Sequence, residues 1–154
     1  MIVNDLTLPF FCKCSSFNSS YFATWNRIFK CMIFYENELF ILSISNSIIS
    51  LEFKSKTVIN LSAAQNIVAT RLQLQAKKVY PLFLDMRGVT DSDKAGRDYL
   101  AQYGFMLTKA VVIVVNPGVS SVITSFYLKR YTAEVPVKVF TEKLKAMEFL
   151  NTFI

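Results

Sequence analysis

The feature that most constrains the fold of this chain is the stretch 110–115, which reads AVVIVV without any alternation of apolar and polar side chains. A strand with one face in water alternates, whereas a strand that is covered on both faces is apolar throughout. A second short apolar run, Tyr80–Asp85, precedes it, with a helix-like stretch between the two. The pattern predicts two buried strands of a parallel sheet, joined by a right-handed helical crossover.

Strands and helices alternate along the rest of the sequence from residue 39 onwards. Residues 39–44 and 48–53 predict a β-hairpin with a tight turn at Ser45-Asn46. The strands predicted after the hairpin are 80–85, 110–115 and 137–140, and the predicted helices begin near residues 61, 94, 119 and 142. The order ββαβαβαβα predicts a single α/β domain, with a mixed, mostly parallel sheet packed by helices.

The predicted helices carry recognisable capping residues. Asn60 and Thr141 suit N-caps, and residues 91–93 supply N-cap chemistry for the second helix. Gly104 suits a left-handed C-terminal cap at the end of that helix. The predicted core face of the first helix consists of Leu61, Ala64, Val68 and Leu72.

Residues 1–35 are predicted to lie outside this domain, which spans residues 36–154. The upstream segment shows no clear strand or helix period. One interpretation is a gene-model artefact, with translation starting at or near Met32. The other is a genuine extension, disordered on its own, that docks through aromatic side chains: Phe10, Phe11, Tyr21, Phe22 and Trp25.

All three cysteines, Cys12, Cys14 and Cys31, lie in that upstream segment. A Cys-x-Cys pair in a chain without histidine is a poor zinc site, so no metal is predicted. A domain without cysteine suits a reducing compartment, and a cytoplasmic location is predicted on this ground.

The net charge of +6 comes from basic residues that are scattered along the chain. Lys77-Lys78 and Lys129-Arg130 are the only adjacent basic pairs, and acidic residues lie among the others. A nucleic-acid footprint requires clustering, so we predict a solvated surface and no nucleic-acid partner. No stretch approaches the roughly 20 apolar residues that span a bilayer, and no one-sided basic stripe marks a membrane-surface helix.

Several segments of the predicted domain match a known pattern. They are YPLFLDMR at 80–87, RDYLA at 97–101, PVKVFT at 136–141 and AMEFL at 146–150. Together they cover roughly residues 36–154, which resemble a family of small uncharacterised bacterial proteins described as STAS-like or SpoIIAA-like. The resemblance implies the STAS fold, which is loosely related to the lipid-binding CRAL-TRIO domains. It implies no assigned biochemical activity.

The resemblance also points to one candidate regulatory residue. In anti-sigma-factor antagonists, which share the STAS fold, a serine that follows an aspartate ahead of the second helix is phosphorylated, usually within Asp-Ser-x-Gly. Here the corresponding residues read Asp91-Ser92-Asp93-Lys94, without the glycine and with a second acid. Ser92 is therefore the candidate phospho-switch, and helix capping is the favoured interpretation of these residues.

Catalytic machinery is not apparent in the sequence. It contains no histidine for proton transfer, and its four glycines form no phosphate-cradling pattern. We therefore predict no catalytic residue, no cofactor and no enzyme activity. Asp85 is predicted to cap a loop or to pair with an arginine such as Arg97.

A ligand or partner site, if present, is expected at the carboxyl ends of the parallel strands. The loops there supply the candidate residues Asp85, Arg87, Asp91, Asn116, Gly118 and Ser120. Two functions remain open. One is a non-catalytic regulatory module that binds another protein around the second helix and its preceding loop. The other is a binding domain for a small or lipid-like ligand, with residues 105–107 as an apolar wall.

Overall fold

The computed structural model describes residues 11–12, 33–118 and 135–154. The strands in these ranges are β1 (Phe11–Cys12), β2 (Ile33–Glu36), β3 (Phe40–Ser45), β4 (Ile48–Phe53), β5 (Thr57–Ile59), β6 (Tyr80–Asp85), β7 (Val89–Ser92), β8 (Thr108–Val114) and β9 (Val137–Phe140). The helices are α1 (Leu61–Gln75), α2 (Lys94–Tyr103) and α3 (Lys143–Asn151). The helix predicted over 119–131 lies outside the described residues, as does Ser120.

Seven strands form one sheet in the order β1-β2-β3-β4-β6-β8-β9. Strands β1 to β4 pair antiparallel in sequence order, whereas β4, β6, β8 and β9 pair parallel. The parallel steps from β4 to β6 and from β6 to β8 each enclose a helix, because parallel neighbours need a long crossover. The predicted α/β domain with a mixed, mostly parallel sheet is confirmed.

Both faces of this sheet are covered where the sequence predicts buried strands. Val111 on β8 belongs to a cluster with Ile67 of α1, whereas its neighbour Val112 belongs to a second cluster with Leu150 of α3. Residues 110–114 are fully buried. The absence of alternation in this stretch therefore reflects one apolar layer above the strand and another below it.

The predicted hairpin is also confirmed, with its turn one residue later than expected. Strands β3 and β4 are joined by Asn46 and Ser47, whose φ angles are 49° and 61°. A two-residue turn with positive φ at both positions matches the right-handed twist of the strands that it connects. Asparagine accommodates this backbone more readily than most residues do.

Strand β2 crosses the predicted domain boundary between residues 35 and 36. It pairs antiparallel with β3, and Tyr35 is buried with its ring 5.8 Å from that of Phe40. Strand β1 in turn pairs with β2. Residues 33–35 thus contribute to the sheet, and the sequence analysis missed them because four residues are too few to show a period.

A second, two-stranded parallel sheet joins β5 to β7. The sequence analysis predicts no strand between residue 53 and the first helix, but Thr57 begins β5 and its backbone N–H donates to Gly88 O at 3.0 Å. Gly88 permits this approach, since a Cβ there would lie 2.4 Å from the carbonyl oxygens of Phe53 and Lys54. The small sheet places β7 directly ahead of α2.

The helix caps follow the predictions in part. Asn60 and Asp93 are the N-caps of α1 and α2, and their side chains accept from Ala63 N and Gly96 N at 2.8 and 2.5 Å. Gly104 does not adopt the predicted left-handed conformation, because its φ is −64°. A glycine is required there for a different reason, since a Cβ would lie 2.3 Å from the Leu100 carbonyl oxygen.

Two further expectations about the helices were wrong. Helix α3 has Glu142 rather than Thr141 at its N-cap, and no side chain caps it. On α1, Ala64 and Val68 are buried as predicted, but Leu72 is half-buried and Leu61 is 39% exposed. The inner face of α1 instead carries the polar residues Arg71 and Gln75, each 1% exposed.

Candidate functional site

The carboxyl ends of the parallel strands lie along one edge of the main sheet. Asp85, the last residue of β6, is in register with Glu52 on β4 and with Val114 on β8. Its side chain lies on the same face as Phe83, which packs towards α3. This edge is where ligands bind in open parallel sheets.

Asp85 forms a bidentate ion pair with Arg87. The Arg87 Nε donates to Asp85 Oδ1 at 2.9 Å, and its Nη2 donates to Oδ2 at 2.5 Å. The Arg87 backbone N–H donates to Oδ1 as well, at 3.1 Å. The side chain of Asp85 is 8% exposed and that of Arg87 is 44% exposed. Asp85 therefore pairs with an arginine, as predicted, but the partner is Arg87 and not Arg97.

The electrostatics of this pair keep Asp85 ionised. Burial alone would raise the pKa of Asp85, but the hydrogen bonds and the charge of Arg87, together with the charge of Lys143, lower it below its ordinary value. A carboxyl group with a lowered pKa and both oxygens engaged is a poor proton donor near neutral pH. Asp85 therefore acts as an anchor for the loop that follows β6.

A second ion pair lies at the same edge. Lys143, the first residue of α3, donates to Glu52 Oε1 at 2.7 Å and its Nζ lies 5.1 Å from the centre of the Phe83 ring. Glu52 and Lys143 are 91 positions apart. Sequence reasoning missed both, because only the topology brings the start of the last helix to the end of β4.

The loop after β8 closes over the loop after β6. Asn116 Nδ2 donates to the Arg87 backbone oxygen at 3.3 Å, which joins two of the predicted loops. Gly118 has a φ of +92°, in the region that favours glycine, and nothing lies within 4 Å of the position of its absent Cβ. The structure thus brings together Asp85, Arg87 and Asn116.

Asp91 and Ser92 lie instead on β7, in the small sheet. The Asp91 Oδ1 accepts from the Ser92 backbone N–H at 2.7 Å. The Arg97 Nη1 donates to the Ser92 backbone oxygen and lies 3.3 Å from Ser92 Oγ. Ser92 directly precedes Asp93, the N-cap of α2, so the capping interpretation holds for Asp93, whereas Ser92 is half-buried beside an arginine.

The outer face of the small sheet carries exposed apolar residues next to this acidic residue. Val58 on β5 is 49% exposed and is in register with Asp91, which is also exposed. Leu61, at the start of α1, is 39% exposed. We call Val58, Leu61, Asp91 and the first turn of α2 the β5–α2 surface. Sequence reasoning missed its apolar part because it predicted no strand at residues 57–59 and placed Leu61 in the core.

The β5–α2 surface is held in place by a close contact between the two helices. Gly96, in the first turn of α2, lies against the junction of β5 and α1, where a Cβ would be 2.9 Å from the Ile59 and Asn60 carbonyl oxygens. The Asp93 backbone N–H donates to the Ile59 oxygen at 3.0 Å. These contacts fix the position of the start of α2 relative to Val58 and Leu61.

Within the part of the chain that the structure describes, no three histidine, cysteine or acidic side chains are close enough to hold a metal ion. No helix among the described residues is long and apolar enough to cross a membrane.

The architecture defines this chain as a protein with a SpoIIAA-like fold. It is similar to the crystal structure of an uncharacterised protein from Shewanella loihica, of the DUF3478 family and with a SpoIIAA-like fold. That likeness has a TM-score of 0.56 and 14% sequence identity, and covers 75% of this chain and 98% of the other. The STAS-like and SpoIIAA-like resemblance seen in the sequence is confirmed at the level of the fold.

The sequence model of one family matches residues 42–154, and the chain belongs to this family, described as a domain of unknown function (DUF7793). A comparison with curated proteins found no match. The family and fold assignments therefore define an architecture, and the function must be argued from the surface of the molecule.

Proposed function

We propose that this protein is a non-catalytic interaction module that binds another protein through the β5–α2 surface. The observation that carries the proposal is the adjacency of exposed Val58 and Asp91, in register on the small sheet, with exposed Leu61 three residues after Val58 along the chain. A protein–protein interface combines an apolar core with a polar rim, and Val58, Leu61 and Asp91 would supply both. The fixed position of α2 gives such a partner a preformed surface.

The polar groups of the carboxyl edge support a non-catalytic role. Asp85 is the buried carboxylate at this edge, and Arg87 occupies both of its oxygens. Glu52 is engaged by Lys143. Both ion pairs stabilise loops. Because Asp85 and Glu52 are engaged by cations, neither carboxylate is positioned to act as a general base.

The experiment compares binding by two valine variants that differ only in position. Val58→Glu places a carboxylate on the β5–α2 surface, whereas Val79→Glu places one at the opposite end of the domain. The two valines are 49% and 45% exposed, so both substitutions should leave the fold intact. We expect affinity capture from the native host to recover a partner with the wild type and with Val79→Glu, and to lose it with Val58→Glu.

Leu61→Glu provides a second variant that cannot lose binding through unfolding. Leu61 is the first residue of α1, where an acidic side chain stabilises the positive end of the helix dipole. We expect Leu61→Glu to weaken partner binding at least tenfold while its melting temperature stays at or above that of the wild type. Equal recovery of the same protein by all four chains would show that the β5–α2 surface is not the interface.

A further inference from the structure

The opposite edge of the main sheet carries a second exposed surface of different chemistry. The turn at residues 76–79 leads into β6, and the turn at 104–107 leads into β8, the strand beside it. The Tyr80 backbone N–H donates to the Leu107 oxygen at 3.2 Å, so the two turns are adjacent. Each turn presents one apolar side chain to solvent: Val79 is 45% exposed and Met106 is 48% exposed.

Exposed lysines flank these two side chains. Lys77 and Lys78 precede Val79, and Lys109 is the second residue of β8. The sequence has no acidic residue from 53 to 84 or from 99 to 133, so α1, both turns and β8 carry no carboxylate, and Asp85 of β6 lies at the other end of that strand. We call Lys77, Lys78, Val79, Met106 and Lys109 the basic turn surface.

Buried polar side chains of α1 fasten the two turns to each other. Gln75 Nε2 donates to the Lys78 oxygen at 3.2 Å and to the Leu107 oxygen at 2.7 Å, and therefore bonds both turns at once. Arg71 Nη1 donates to the Met106 oxygen at 2.8 Å and also to Gln75 Oε1. Three residues within these turns have a left-handed backbone with positive φ: Ala76, Lys77 and Leu107.

From this arrangement we propose that the basic turn surface docks on an anionic lipid bilayer. The bilayer is a flat partner, so it requires protruding side chains at one level and positive charge around them. Val79 and Met106 stand on adjacent turns that are bonded together, which suits shallow insertion at the headgroup boundary. The surrounding lysines supply charge complementarity to phosphate headgroups, and no carboxylate within the two turns opposes it.

The expected strength of this docking follows from the number of lysines. A basic residue near an anionic membrane contributes about 1 kcal/mol, which is about a fivefold gain in partitioning. Three lysines therefore raise binding about a hundredfold over a neutral bilayer, and the effect is screened by salt. The interaction is weak and reversible, as expected of two small apolar insertions.

The test is sedimentation of the full chain with vesicles of phosphatidylcholine alone or of phosphatidylcholine and phosphatidylglycerol at about three to one. We expect binding to the anionic vesicles only, and release at high salt. The variant Lys77→Gln/Lys78→Gln/Lys109→Gln should lose about a hundredfold in partitioning. Met106→Asp should also lose binding, whereas the matched variant Leu144→Asp, in the first turn of α3 at the other edge of the sheet, should bind like the wild type.

A soluble acidic polypeptide, polyglutamate, identifies the competing occupant. Binding of the wild type to polyglutamate with no binding to anionic vesicles would mean that this surface recognises acidic proteins, and would overturn the proposal. Equal binding to neutral and anionic vesicles would do so as well. Retention of vesicle binding by the triple lysine variant would show that these lysines do not supply the attraction to the bilayer, and would likewise overturn the proposal.

Discussion

The buried Arg71 gives the sharpest prediction about what stabilises this fold. Its side chain is 1% exposed, and the oxygens of Gln75, Met106 and Tyr103 accept from it. None of these acceptors is a carboxylate, so the guanidinium is buried without a counter-charge at these contacts. The perturbation is Arg71→Met, which keeps much of the apolar stem and removes the charge and all the hydrogen bonds.

The magnitude of the effect follows from two opposing contributions. Burial lowers the pKa of Arg71 from its ordinary value to about 10. Since a tenfold change in proton affinity equals about 1.4 kcal/mol, the desolvation penalty is about 3 kcal/mol. Hydrogen bonds to a charged donor contribute about 1.5–3 kcal/mol each, and two well-placed bonds offset this penalty. Methionine relieves the penalty but leaves buried oxygens without a donor, so we expect a net loss of about 2 kcal/mol.

The assay is urea unfolding of the wild type, Arg71→Met and Gln75→Leu, together with the double variant. Because Arg71 donates to Gln75 Oε1, the double variant should lose about 1 kcal/mol less than the sum of the single losses. Gln73→Leu, at an exposed position of the same helix, is the matched control and should change stability by less than about 0.5 kcal/mol. An Arg71→Met variant as stable as the wild type would refute the claim that the hydrogen bonds outweigh desolvation.

Three further predictions concern other parts of the chain. Asp85→Asn should lower the unfolding free energy by about 1–2 kcal/mol at pH 7. Because the pKa of Asp85 is lowered in the folded state, the wild type should lose this advantage below about pH 4, and the acid-unfolding curves of the two proteins should converge there. Ser92→Ala and Ser92→Asp should bind a partner equally, and intact-mass analysis of the native protein should show no phosphate; stoichiometric phosphorylation would contradict this, with Arg97 beside Ser92 Oγ as the pairing group. A chain that starts at Met32 should melt within a few degrees of the full chain, because it keeps β2 and, of the strands that the structure describes, loses only the two-residue β1; a large fall would show that residues 1–31 contribute substantially to the stability of the domain.

The parts of the fold that were predicted correctly are those where one local signal sufficed. The uniform apolar run of β8 required two covered faces. The capping residues Asn60 and Asp93 marked the helix starts, because each accepts a hydrogen bond from a backbone N–H only three positions further along the chain. Strands β5 and β7 could not be predicted, because three and four residues carry no period and pair only through the tertiary fold.

The polar interactions depended on contacts that no local pattern encodes. Arg71 is buried because it meets the Met106 oxygen 35 positions away, and a helical pattern alone places an arginine in solvent. Lys143 reaches Glu52 across 91 positions. At the candidate site, position at the strand end indicated Asp85, but its partner was misassigned to Arg97 rather than to Arg87, two residues away.

The lysines of the basic turn surface show the same limit. Along the sequence, Lys109 lies 31 positions from Lys78, and the charges look scattered. The parallel pairing of β6 with β8 brings the starts of the two strands together, and with them the lysines that lie at or just before those starts.

The most direct test of the proposed function is site-specific photo-crosslinking in a membrane-free lysate of the native host. A photoreactive phenylalanine derivative replaces Val58 on the β5–α2 surface in one chain and Val79 at the opposite edge in the other, at positions of nearly equal exposure. We predict a discrete covalent adduct with one protein from position 58 and none from position 79. Adducts from position 79 alone, or from neither position, would contradict the assignment of the β5–α2 surface as the protein-binding interface.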